Sequence, residues 1–160
     1  MPLDTQAIEI LGRNLLVSEL FRAGVEVAFP LRDRGIDLIA FGDRKASKSV
    51  FFAVPIQMKG ASKKSFSLDK KYEKIPHLLI AYVWGIQGEE NHKTFALTYK
   101  QALRVATEMK YTETDSWKKH GKYAVSRPSE KLEELIRGFE MTPEKWKARL
   151  ALVIGKAITD

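Results

Sequence analysis

Residues 78–84 read Leu-Leu-Ile-Ala-Tyr-Val-Trp, an unbroken apolar run between His77 and Gly85. A run this short and this rich in β-formers is a strand, and a strand with no polar face needs cover on both sides. The chain is therefore constrained to a sheet buried between helices. The neighbouring patterns supply both kinds of element.

Spacing predicts a first helix over 4–23, with Asp4 as its cap and Gly24 as its stop. Strands follow at 25–29, closed by Pro30, and at 36–41. After a turn over 42–49, a further strand at 50–58 runs into Lys59 and Gly60. Pro55 cannot donate to a ladder, so a bulge or a sheet edge is expected there. A basic helical segment near 68–74 precedes the 78–84 strand, and another strand is expected at 93–97. An amphipathic helix over 99–110 carries Ala102, Leu103, Ala106 and Met109. Residues 111–127, with Trp117 and Tyr123, read as irregular and aromatic, more a lid on the core than a stacking surface. Helices over 128–139 and 143–158 complete the pattern. The expectation is one α/β domain over 1–160, with its core at 4–110 and a C-terminal helical extension at 111–160.

At 160 residues such a domain buries enough surface to fold without staples. None is available, because the chain has no cysteine. Thiolate zinc sites, thiol redox chemistry and cysteine nucleophiles are excluded, and the three histidines show no metal-ligand spacing, so any metal must rest on oxygen ligands. No Gly-rich phosphate loop or nucleophile–base pair is visible, which leaves a small-molecule enzyme little support. Neither a signal-peptide pattern nor an apolar run long enough to span a membrane is present, so a cytoplasmic protein without membrane contact is expected.

Charge is unevenly spread. The formal net charge is +7, and residues 44–74 hold nine basic residues against Asp69 and Glu73, so this block carries the whole excess. Such a block favours a polyanion footprint over a solvated lysine-rich face, and Lys45, Lys48, Lys63, Lys64, Lys70 and Lys71 are its candidate nucleic-acid contacts.

Within the first helix, Ile8, Leu11, Leu15, Leu16, Leu20 and Ala23 form one apolar arc that also includes Gly12, with Glu19 in its middle. A carboxylate there needs a cation, a metal or hydrogen-bond donors, and a local ion pair with Arg13 or Arg22 is the simpler alternative. Alternation sets Asp37 at the start of a largely apolar strand, beside Gly35. It also puts Gln57 and Lys59 on one strand face with the Met58 carbonyl between them.

The succession of Glu19, Gly35-Ile36-Asp37-Leu38 and Gln57-Met58-Lys59-Gly60 resembles the PD-(D/E)XK nuclease superfamily, also called restriction-endonuclease-like, and within it the archaeal Holliday-junction-resolvase-like branch. The resemblance covers about residues 8–100. It implies a three-layer α/β/α fold around a mixed five-stranded sheet, here followed by C-terminal helices, with homodimers common. It also implies Mg²⁺-dependent endonucleolytic cleavage of DNA, with Mn²⁺ as a substitute and RNA left open. Carried over, Asp37 is the central metal ligand, the Met58 carbonyl a further ligand, and Lys59 the group that orients or helps deprotonate the attacking water. Glu19 touches a metal or holds Lys59. Gln57 departs from the pattern, standing where the family has Asp or Glu; its amide oxygen can still ligate but adds no charge. Asp33 and Asp43 are alternative acids near the same loop. The departure keeps a second reading in play, a nucleic-acid-binding or assembly domain that has the fold but no turnover.

Overall fold

The computed structural model describes residues 2–42, 51–88 and 91–155. Helix α1 (Thr5–Arg22) begins at Asp4, whose carboxylate accepts the Ala7 N–H at 2.8 Å and so satisfies a donor that a helix N-terminus leaves open. Gly24, at φ 71°, turns the chain out of it. A meander of β1 (Glu26–Ala28), β2 (Leu38–Phe41) and β3 (Ala53–Gly60) follows, each strand antiparallel to the one before. Next come β4 (Phe66–Asp69), a 3-10 turn (Lys70–Lys74), β5 (Leu79–Trp84) and β6 (Lys93–Thr98). The described chain then runs through α2 (Tyr99–Glu108), α3 (Asp115–His120), β7 (Lys122–Val125), α4 (Glu130–Arg137), β8 (Glu140–Met141) and α5 (Pro143–Ile154).

Among the described residues, the main sheet is mixed and has six strands, ordered β1-β2-β3-β5-β6-β8. Five were expected. The sixth is two-residue β8, which pairs with Thr94 and Phe95 of β6. Among the described strands, only β3 and β5 run parallel.

Strand β5 is buried at every position, as its composition demands. Leu79, Ala81 and Val83 enter one core with Leu16 and Leu20 of α1 and Trp146 and Leu150 of α5. Ile80, Tyr82 and Trp84 enter a second core with Ala102 and Val105 of α2 and Leu132 and Ile136 of α4. Each such aliphatic or aromatic side chain contributes roughly 1.5–3 kcal/mol on burial, which is why this strand organises both layers. Residues beyond 110 are thus not an appendage, since α4 and α5 close the two cores.

Pro55 lies opposite Ile39 of β2, one residue before the pairing with β5 starts at Ile56, so β3 is locally an edge where its N–H is missing. Leu11, assigned to the buried arc of α1, is instead exposed, while Gly12, Leu16, Glu19 and Leu20 are buried.

A second, two-stranded sheet pairs β4 with β7. The expected helical segment near 68–74 is present as the 3-10 turn at Lys70–Lys74, with Leu68 and Asp69 belonging instead to β4, while the expected irregular stretch 111–127 is corrected, since it contains α3 and β7. Four-residue strands give too short an alternation to stand out: Phe66 and Leu68 point into the core while Ser67 and Asp69 do not. The small sheet is tied to β5 by the Tyr82 hydroxyl, donating to the Ser67 carbonyl at 2.8 Å, and by the Trp84 indole N–H, donating to the Ser65 carbonyl at 2.6 Å. Among the described residues, no helix is long and apolar enough to cross a membrane.

Candidate active site

Asp37 stands just ahead of β2, and its N–H donates to the Ile56 carbonyl at 2.9 Å, which holds it against β3. Its carboxylate oxygen Oδ2 accepts the Met58 N–H at 2.7 Å and Gln57 Nε2 at 2.6 Å. Gln57 Nε2 also donates to the Met58 carbonyl at 3.1 Å. One amide group therefore bridges the carboxylate and the carbonyl. Gly35, at φ 85°, takes the left-handed conformation that glycine tolerates, and its N–H donates to Asp33 Oδ1 at 2.9 Å. A Cβ there would meet Ile75 and Tyr72 at ordinary contact distances of 3.5 and 3.6 Å, so the backbone conformation rather than space calls for glycine.

Lys59 follows Gln57 on the same face of β3, as alternation required. Its Nζ lies 5.2 Å from the Tyr72 ring centroid, and Lys71 Nζ lies 5.3 Å from that ring. Beside Lys59 a cleft of about 230 Å³ is bordered by Ser67, Asp69, Ser116, Lys122 and Tyr123, residues brought there by the small sheet.

The electrostatics of Asp37 and Lys59 are reciprocal. Burial raises the Asp37 pKa and the charge of Asp33 adds to the rise, opposed by the Met58 N–H, Lys59 and Arg13. Burial lowers the Lys59 pKa, opposed by Asp37, Asp69 and Asp33. Two partly desolvated groups of opposite charge, each shifted toward neutrality, form the kind of arrangement that proton-transfer and phosphate-binding sites use, although structural ion pairs do the same. Tyr72 is likewise pushed up, mainly by burial.

The structure brings together Asp37, Gln57, the Met58 carbonyl and Lys59, but not Glu19. That assignment is corrected: Glu19 lies on the opposite face of the sheet, against Thr94 of β6 and Trp146 of α5, and is 8% exposed. Burial raises its pKa, and the Thr94 hydroxyl and Trp146 indole beside it pull the other way. Neither closes a well-formed hydrogen bond: Glu19 Oε2, Thr94 Oγ1 and Trp146 Nε1 are all buried without a partner. From helix α1, Arg13 acts on Asp37 only through its charge, and its guanidinium pairs with Glu9 at 2.8 Å.

The basic block divides. Lys71 stands beside the Lys59 cleft, with Lys71 and Lys122 at 3.6 and 3.7 Å from Asp69, and Lys70 follows Asp69 in the chain. Lys63 and Lys64 sit at another cavity, where Lys64 pairs with Glu133 at 2.8 Å. Lys45, Lys48 and Asp43 lie outside the described residues. Sequence reasoning missed Asp69, Tyr72 and Lys122; the alternation of Phe66 with Leu68 and of Tyr123 with Val125 was the signal for the pairing that delivers the first and the last. Trp117 is partly buried on the second core, in keeping with a lid, and Tyr123 stacks on Tyr111 at 4.0 Å.

Among the described residues, no group of three His, Asp or Glu side chains is placed to hold a metal. No family model, curated protein or solved structure matches the chain.

Proposed function

We propose that this chain is a divalent-metal-dependent endonuclease that cleaves DNA phosphodiester bonds, with its site at Asp37, Gln57, Met58 and Lys59 on a restriction-endonuclease-like sheet. The observation that carries the reading is the juxtaposition of half-buried Asp37 with Lys59 beside the Met58 carbonyl. The meander that delivers Asp37 and the parallel β3–β5 pair that holds Lys59 support the fold assignment.

The donor set suits Mg²⁺ in type: a carboxylate, a backbone carbonyl and, after a half-turn of the Gln57 amide, its Oε1. Mg²⁺ is commonly held by one or two carboxylates together with substrate phosphate and water, so one acid is enough for a site completed by DNA. When bound, Mg²⁺ neutralises phosphoryl charge and acidifies a coordinated water. Asp37 supplies the negative charge that localises the cation. Lys59, held over Tyr72, presents an ammonium to a phosphate oxygen or to the attacking water, and its lowered pKa eases proton exchange there. Lys70, Lys71 and Lys122 line the approach with positive charge. A homodimer is part of the proposal, and exposed Ile10 and Phe21 on α1 supply apolar surface for it.

The direct test of the site is Gln57→Glu. Adding a carboxylate should tighten Mg²⁺ or Mn²⁺ binding by about tenfold or more in calorimetric titration, and unchanged affinity would remove Gln57 from the metal site. A second reading, a binding domain without turnover, is favoured by one observation: Gln57 Nε2 already donates to both oxygens a metal would use. On that reading wild type binds DNA without nicking it.

A further inference from the structure

On the second-core side, a cavity of about 510 Å³ opens beyond the carboxyl ends of the parallel strands β3 and β5. It shares no lining residue with the Lys59 cleft. Its size falls within the range of roughly 300–1,000 Å³ typical of small-ligand pockets. The base is preformed: Gly85 N–H donates to the Lys63 carbonyl at 2.7 Å and Ile86 N–H to the Ala61 carbonyl at 3.2 Å, continuing the β3–β5 ladder past the last paired residues.

Two chemistries meet in it. Trp84 and Phe95 form an apolar wall, their rings 4.7 Å apart between centroids. The Trp84 N–H is already committed to Ser65, so the ring offers the cavity hydrocarbon alone. The rim is cationic, with exposed Lys63, Lys93 and Arg137, none ion-paired among the described residues. Lys64 is paired with Glu133, so these three cations are the groups available to an anion. Asn91 adds an amide donor and acceptor, and Glu133 and Glu140 add carboxylate acceptors.

We propose that this cavity binds a nucleoside monophosphate unit, its base against Trp84 and Phe95 and its phosphate on Lys63, Lys93 and Arg137. A planar apolar body with an anionic end matches the wall and rim. Base amino groups also match the Glu140 carboxylate, the acid of the lining that Lys64 does not already hold, which an acyl phosphate would leave without a donor. The same chemistry has two sources, a free nucleotide or an unpaired nucleotide of a strand. The cavity's position suits the second: Lys59 is in register with Tyr82, and Trp84 lies two residues further along the same strand face, a rise of about 7 Å. That extension rests on the nuclease reading; binding of a free nucleotide does not.

Calorimetric titration with dAMP, dCMP, dGMP and TMP, beside inorganic phosphate and the matching nucleosides, tests it on wild type, Asp37→Asn and the surface double variant Lys63→Ala/Arg137→Ala. Nucleotides should bind wild type and Asp37→Asn alike, more tightly than phosphate or nucleoside, and about tenfold or more weakly in the double variant. Preference for a single-stranded oligonucleotide over its abasic counterpart, lost in that variant, would assign the site to a strand. Nucleotide binding without that preference would assign it to the free ligand. No nucleotide binding, binding no tighter than phosphate, or binding that survives the double variant would overturn the proposal. Because Asp37→Asn is expected to bind normally here yet fail to nick DNA, loss of the cavity's function and loss of the nuclease reading are separately visible.

Discussion

Removing the Asp37 carboxylate strands the Met58 N–H and Gln57 Nε2, both of which donate to the same oxygen. Asp37→Ala therefore acts on stability as well as chemistry, and Asp37→Asn is the better probe of charge. It keeps an acceptor at the site, so unfolding free energy should fall by no more than about 1–3 kcal/mol in denaturant titration while metal affinity is lost. Glu19 gives a different expectation. Its folded-state pKa is raised by burial above the unfolded value, so its stabilising contribution is fully present below the ordinary carboxylate range and is lost as pH rises through the folded-state pKa. Glu19→Gln should then raise the melting temperature at neutral pH and change it little near pH ~4; an equal effect at both pH values would contradict the assignment. The contrast also explains what could be read from sequence at this scale. Period two placed Gln57 and Lys59 on one face because strand alternation is a local property. The helical arc correctly placed Glu19 inward, but inward is defined only by which sheet face α1 covers, and that face proved to be the one opposite Lys59.

Strand β4 reaches the site through its pairing with β7 and the two hydrogen bonds from β5 at its start, so the cleft depends on an association between segments distant in sequence. Tyr82→Phe removes one of those bonds and leaves the Ser67 carbonyl without its buried donor. The expected loss is about 1–3 kcal/mol in denaturant titration, with increased hydrogen exchange concentrated in β4 and β7. Uniformly spread exchange would show that the small sheet is not anchored there. Longer elements were legible because their signals are: α1 carries its cap and stop, β5 its unbroken run, α2 its amphipathic stripe. The small sheet was not, because four-residue strands bordered by lysines resemble basic loops, and strand partners come from tertiary structure rather than local pattern. Two-residue β8 was hidden for the same reason, between two helices whose boundaries were otherwise well marked.

Across the molecule, the described part of the basic block becomes two surfaces in space, and of these the one bearing Lys71 adjoins Lys59 and gains Lys122 from β7. The triple variant Lys70→Ala/Lys71→Ala/Lys122→Ala should weaken DNA binding and reduce the slope of log affinity against log salt by roughly 0.9 for each phosphate that is no longer neutralised. An unchanged slope would make this surface a solvated face. The decisive measurement is nicking of supercoiled, branched and single-stranded DNA in Mg²⁺ or Mn²⁺, with EDTA and Asp37→Ala as controls. A metal-dependent nuclease centred on Asp37 and Lys59 predicts cleavage of at least one substrate, abolished by either control. Cleavage that survives Asp37→Ala, or DNA binding with no cleavage in either metal, would contradict it.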